Sequence, residues 1–154
     1  MTQNKSDGLK LQDSAKLESI AAYCPFIRPA LRRNAIEYYE TEAYMGGKVI
    51  ATLQKAARRL KALNASLPRE AQYLGCVVVG YTSLVVSPQN NQTVRTAFSK
   101  IRPRLINEGY TLGYFPPAPL ASKGALISPV DNVTRVVIRN RQPADTKFGE
   151  LYRK

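Results

Sequence analysis

The chain has 154 residues, 44% of them hydrophobic, and carries 23 Lys and Arg against 11 Asp and Glu, with no histidine. Without histidine, a Ser-His-Asp or Cys-His nucleophile cannot form and a structural zinc site has too few ligands. We therefore expect no enzyme, no bound metal and no cofactor. Two cysteines are too few for a disulfide framework, and no apolar run approaches the roughly 20 residues of a membrane span, so we expect no membrane partner.

The net charge of +12 is unevenly distributed along the chain. In residues 1–45, six basic side chains are balanced by six acidic ones, whereas residues 46–154 hold the other 17 basic residues against five acids. A field of one sign at this density attracts polyanions. The charge distribution therefore predicts nucleic acid or another anionic surface as the partner.

The N-terminal part of the chain predicts a flexible segment followed by helices. Residues 1–14 are polar and are predicted to be flexible, residues 15–141 to form one domain, and residues 142–154 to form a basic tail. Helices are predicted over Ala15–Tyr23 and from Ala30 to Tyr44, because the prolines between these ranges do not fit inside one helix.

The clearest predicted helix covers Lys48–Leu63, where apolar residues recur at steps of three and four. At 100° per residue, Lys48, Lys55 and Arg59 form a stripe on its polar side, with Arg58 and Lys61 beside it. No acidic residue is interleaved, so the usual i,i+4 ion pairs are missing. The stripe is a candidate surface for nucleic-acid backbones, anionic lipid surfaces or acidic proteins; the alternative is the solvated side of a core helix.

Residues Tyr73–Ser87 predict a strand that is apolar on both faces, in which Gly80 marks a bulge or a hairpin turn. Gln92–Asn107 predict a helix that Pro103 kinks or splits, and Gly109 is a natural C-cap. This second helix contributes further candidate nucleic-acid-binding residues, namely Arg95, Lys100, Arg102 and Arg104.

Two more strands are predicted, at Tyr110–Phe115 and Val133–Arg141, with a Pro-rich loop at Pro116–Pro129 between them. A helix, a strand, a Pro-rich loop and a strand in this order resemble the second half of a winged helix, which is one alternative for the binding mode. Tyr110 and Tyr114 share a strand face, which favours core packing, with a stacking platform for unpaired bases as the alternative.

The last strand carries the most specific pattern. Arg135, Arg139 and Arg141 share one strand face, while Val136 and Ile138 occupy the other. The apolar face is predicted to pack on the core and the arginines to face outward, where a planar guanidinium can donate two hydrogen bonds to a phosphate. The alternative is a charged face that prevents edge-to-edge aggregation.

The acidic residues Glu37, Glu40 and Glu42 form the one acidic cluster of the sequence. Glu37 and Glu40 would lie one turn apart on the helix predicted there and could share a magnesium ion, so a metal-dependent nuclease is a minor alternative. Such a site needs further carboxylates, and the sequence offers Asp131 and Asp145 in loops.

The predicted fold is α+β, with N-terminal helices packed on a small, mostly antiparallel sheet and a C-terminal Pro-rich loop. The predicted function is non-enzymatic binding of DNA or RNA through backbone phosphates, as an accessory, packaging or assembly factor. One alternative is a structural subunit of a larger assembly, such as a viral or phage particle, in which the partners are a homo-oligomer or other proteins. A second alternative is a small inhibitor that docks on an acidic enzyme groove.

The N-terminus also bears on location. Residues 1–16 lack the apolar region of a signal peptide. We therefore expect a protein of the cytoplasm or of a nucleoprotein particle rather than a secreted one.

Overall fold

The computed structural model describes residues 9–21, 24–42, 46–82, 88–116 and 133–141. The predicted basic tail and nearly all of the predicted Pro-rich loop lie outside these residues. The strands are β1 (Lys10–Gln12), β2 (Ile36–Thr41), β3 (Cys76–Thr82), β4 (Tyr110–Phe115) and β5 (Val133–Asn140). The helices are α1 (Glu18–Ala21), α2 (Ile27–Arg32), α3 (Gly46–Ser66) and α4 (Pro88–Asn107), with 3₁₀ turns at Ser14–Leu17 and Arg69–Leu74.

The strands form one mixed five-stranded sheet in the order β1-β2-β3-β5-β4. The pair β2 and β3 is parallel, in a register that places Ile36 opposite Cys76, and all other pairs are antiparallel. The central strand β3 is buried along nearly its whole length, as expected for a strand covered on both faces.

One face of the sheet is covered by α3 and α4, which we call the helix layer. Helix α3 connects the parallel strands β2 and β3, and α4 follows β3 along the chain. Their apolar sides share one core cluster with the sheet residues Val77, Val79 and Ile138. The helix residues at the centre of this core repeat at helical spacing, and they include Val49, Leu53, Leu60, Val94, Ile101 and Leu105.

The opposite face is covered by the 3₁₀ turn Ser14–Leu17 together with α1 and α2, which we call the N-terminal layer. Its side chains Leu17, Ile20 and Ile27 are fully buried against this face of the sheet. The molecule is therefore a three-layer arrangement in which the sheet is enclosed between a helix layer of two long helices and an N-terminal layer of short ones.

The predicted fold class is wrong. The four helices are not gathered at the N-terminus but are interleaved with the strands, and the sheet is mixed rather than mostly antiparallel. The last two strands belong to this sheet, because β5 pairs with β3 on one side and with β4 on the other. They are therefore not the wing of a winged helix.

The main error concerns residues 30–44, which were predicted to be helical. Helix α2 ends at Arg32, and Asn34 takes a φ of 52°, the left-handed conformation in which Asn often terminates a helix. The segment that follows is rich in aromatic and β-branched residues and alternates between the two faces of the sheet as β2. Asn34 is the signal in the sequence that could have identified this boundary.

Other predicted elements are confirmed or adjusted. The helix predicted over Lys48–Leu63, the strand at Tyr110–Phe115 and the last strand are confirmed, and Gly109 has a φ of +97°, as its role at the end of α4 requires. Gly80 forms neither a bulge nor a turn but lies within the regular register of β3. Helix α4 is a single helix that includes Pro103.

Candidate nucleic-acid interface

The folded chain separates its charges in space as the sequence separates them along the chain. Helices α3 and α4 together carry nine basic side chains and no acidic one. Seven of the nine are exposed and two, Lys55 and Arg59, are half-buried. By contrast, residues 9–42 carry five basic and five acidic side chains, and Arg28 forms an ion pair with Glu18 at 3.9 Å. The helix layer is therefore the electropositive side of the molecule.

A groove runs between the two helices on this side. Towards their C-terminal ends it widens into a cavity of about 530 Å³. The cavity contains three cations and a single acid, Glu108, whose carboxylate lies 3.3 Å from Nε of Arg104. We call this cavity the inter-helix groove; it is lined by Gln54, Ala57, Arg58, Lys61, Arg104, Leu105, Glu108 and Tyr110.

A second cavity, of about 450 Å³, lies at the N-terminal ends of the same two helices. Its wall combines the apolar side chains of Ile50 and Ala97 with polar side chains and one cation, Lys100. Gly47 contributes to the wall of this cavity, and a Cβ atom built there would meet nothing within 4 Å. The two cavities thus lie along the junction of α3 and α4, and the one at the C-terminal ends is the more basic.

The predicted basic residues of α3 point in two directions. Arg58 and Lys61 line the inter-helix groove, whereas Arg59 turns towards the sheet, with its guanidinium 5.4 Å from the centre of the Tyr39 ring. Lys48 is exposed in the first turn of the helix and Lys55 is half-buried. At 100° per residue, both lysines lie on the same side of α3 as Arg59.

The predicted basic residues of α4 likewise lie on two sides of their helix. Lys100 and Arg104 face α3, since each lines one of the two cavities. Arg95 and Arg102 are exposed, and at 100° per residue they lie on the opposite side of the helix. The sequence could not show which of these candidate residues face α3.

The arginine row of β5 is not an outward-facing surface. Arg135 and Arg139 are only 5% and 9% exposed, because the face of β5 that carries them lies under the N-terminal layer. Arg141, just beyond the strand, is exposed. The prediction that Val136 and Ile138 pack into the core is confirmed. The expectation that all three arginines face outward is wrong for two of them.

The two buried arginines contact aromatic rings and polar atoms inside the protein. The guanidinium of Arg139 lies 3.5 Å from the centre of the Phe26 ring, a cation–π contact with the N-terminal layer. Nε of Arg135 donates to the Tyr38 hydroxyl at 3.3 Å, and that hydroxyl donates to Glu40 at 2.5 Å. Burial is the main cause that raises the pKa of Tyr38, so its hydroxyl stays protonated and can donate.

The acidic cluster does not form a metal site. Glu37 and Glu40 lie on a strand rather than a helix, and an offset of three residues places them on opposite faces of the sheet. Each carboxylate instead accepts a hydrogen bond from a tyrosine two residues away, Glu37 from Tyr39 and Glu40 from Tyr38. Within the described residues, no three His, Cys, Asp or Glu side chains gather into a potential metal site.

The groove also contains a residue that sequence reasoning assigned elsewhere. Tyr110, interpreted with Tyr114 as part of the core or as a stacking platform, is half-buried at the start of β4 and lines the inter-helix groove. Burial, followed by the neighbouring Glu108, raises the pKa of its hydroxyl. Tyr114 instead packs against Phe98, with ring centres 5.5 Å apart. The two tyrosines share a strand face, and only the way in which α4 packs across the sheet determines that Tyr110 lines the groove whereas Tyr114 packs on Phe98.

Comparisons with protein-family models, with curated proteins and with solved structures find no match to this chain. No helix among the described residues is both long enough and apolar enough to span a membrane.

Proposed function

We propose that this chain is a non-enzymatic nucleic-acid-binding protein that contacts backbone phosphates through its helix layer. The observation that carries the proposal is the charge of α3 and α4, nine basic side chains with no acid among them. Cations at this density release the counterions of a polyanion, which is the main source of affinity for nucleic-acid backbones. Such contacts fix the position of a protein on nucleic acid without reading its sequence.

The contact surface centres on the junction of the two helices. Arg58, Lys61 and Arg104 project into one concave surface, and Lys100 extends it towards the helix N-termini. A groove in which charges of one sign predominate, here three cations against Glu108, focuses the electric field more strongly than a convex surface. Lys48, Arg95, Arg102 and Arg141 are exposed outside the groove, where they add to the attraction for a polyanion without lining the cavity.

The experiment is a salt titration of nucleic-acid binding. Replacing Arg58, Lys61 and Arg104 together with alanine should reduce the magnitude of the slope of log affinity against log salt by about 2–3, because each lost phosphate contact removes about 0.7–0.9. The matched control replaces three exposed arginines of the N-terminal part of the chain, Arg28, Arg32 and Arg33. This control changes the net charge by the same amount and should leave the slope nearly unchanged.

Two results would contradict the proposal. Equal losses of slope in both triple variants would show that net charge, rather than the groove, governs binding. A folded wild-type chain that binds neither DNA nor RNA at low salt would exclude the function. A defined oligomer without nucleic acid, measured by light scattering, would then favour the alternative of a structural subunit.

A further inference from the structure

The inter-helix groove combines a row of cations with an aromatic ring. Tyr110 lies at the end of the cavity that Arg58, Lys61 and Arg104 line. Sites that bind single-stranded nucleic acid combine the same two features, a basic groove for the backbone and an aromatic ring on which a base stacks. The cavity volume of about 530 Å³ falls within the range of about 300–1,000 Å³ that is typical of ligand sites.

The position of Tyr110 is held by the backbone around it. The preceding Gly109 ends α4 with a φ of +97°, and its carbonyl accepts a hydrogen bond from the backbone N–H of Arg141 at 2.9 Å. Tyr110 itself pairs with Asn140 at the end of β5. A ring anchored on a sheet strand loses little conformational freedom when a ligand stacks on it.

The width of the groove favours one strand over two. Its walls are packed helices, whose axes are typically about 8–10 Å apart. A duplex is wider than this separation, and its bases are stacked on one another and so cannot reach a ring that lines the groove. An unpaired base of a flexible single strand can leave its neighbours and stack on the ring.

Building on the proposed function, we infer that the inter-helix groove binds single-stranded nucleic acid. Arg58, Lys61 and Arg104 hold consecutive phosphates, and one unpaired base stacks on Tyr110. Glu108 lies at the same end of the groove, paired with Arg104. RNA and DNA share the chemistry that this site recognises.

The test uses the absence of tryptophan from the chain. The Tyr110→Trp variant has a single tryptophan, whose fluorescence is quenched when a base stacks on it. The matched control is Tyr73→Trp, because Tyr73 is 56% exposed in the 3₁₀ turn before β3 and does not line the groove. Each variant is titrated with oligo(U), with oligo(dT) and with a duplex, all of about 12 nucleotides per strand, within the site sizes of single-strand-binding folds.

We expect both single strands to quench Tyr110→Trp, the duplex to leave it unchanged, and Tyr73→Trp to respond to none of the three. If oligo(U) quenches the fluorescence more strongly than oligo(dT), RNA is the preferred ligand, and the reverse result identifies DNA. Tyr110→Phe should keep the affinity for single strands, and Tyr110→Leu should weaken it by roughly 5- to 150-fold, the effect of losing one stacked base. Circular dichroism confirms that each variant is folded.

The outcomes separate this inference from the proposed function. Single-strand binding without quenching in Tyr110→Trp overturns the inference and leaves nucleic-acid binding intact. The inference is also overturned, with nucleic-acid binding intact, if the chain binds a duplex more tightly than a single strand and replacing Tyr110 does not change the affinity for the duplex. If none of the three nucleic acids binds at low salt, the proposed function fails and the inference fails with it.

Discussion

Replacing the buried arginines of β5 tests whether this face of the strand is structural. Arg135 and Arg139 are 5% and 9% exposed, whereas Arg141 is exposed two residues further along. Exchanging both buried arginines for alanine removes the cation–π contact with Phe26 and the hydrogen bond to the Tyr38 hydroxyl. The double variant should therefore be much less stable than the wild-type chain.

The magnitude follows from these contacts. A desolvated cation–π contact contributes about 2 kcal/mol or more, and a hydrogen bond that involves a charged group contributes about 1.5–3 kcal/mol. Four residues along a strand separate the two arginines by about 13 Å, so their effects should add. The expected loss is about 3.5–5 kcal/mol in total, a large part of the roughly 5–15 kcal/mol that stabilises an ordinary domain.

The measurement is urea denaturation followed by circular dichroism. The double variant should have a lower midpoint with an unchanged slope, or be unfolded before urea is added. The control Arg141→Ala should change the free energy of unfolding by no more than about 0.5 kcal/mol, as is usual for exposed positions. A double variant as stable as Arg141→Ala would refute the assignment of these side chains to the interior.

Two further predictions concern packing and pH. Gly80→Ala should destabilise the fold by about 1–3 kcal/mol in urea denaturation, because a Cβ there would lie 2.7 Å from the Tyr38 hydroxyl. Gly47→Ala, where a Cβ meets nothing within 4 Å, should be neutral or stabilising, and equal effects at both sites would contradict the packing argument. Burial raises the pKa values of Tyr38 and Tyr81 in the folded state. The stability that these two protonated hydroxyls contribute is therefore fully present below about pH 10, the approximate pKa of tyrosine in the unfolded chain. It is lost as the pH rises above about 10. Each buried tyrosine should lower the free energy of unfolding by up to about 1.4 kcal/mol per pH unit in that range. Tyr81→Phe should show a shallower decline in urea midpoints between pH 8 and 11, and an identical decline would show that Tyr81 does not contribute.

The sequence by itself determined the elements that depend on interactions between residues close together along the chain. Helix α3 follows from its apolar period and β5 from its alternation, because each pattern needs only one buried face. The end of α4 at Gly109 follows from a conformation that glycine adopts without strain. The concentration of positive charge after residue 45 also follows from the sequence alone, since charge does not depend on the fold.

The tertiary structure decided which of these charges face outward. The alternation of β5 placed Arg135 and Arg139 on one face but could not show that an N-terminal layer covers that face. The layer exists because β2 is a strand, which pairs with β3 and brings the preceding helices onto this side of the sheet. In the same way, only the packing of α3 beside α4 brings Arg58, Arg104 and Tyr110 to one groove. A long-range juxtaposition has no signature in local periodicity, so it appears only when the sheet order is known.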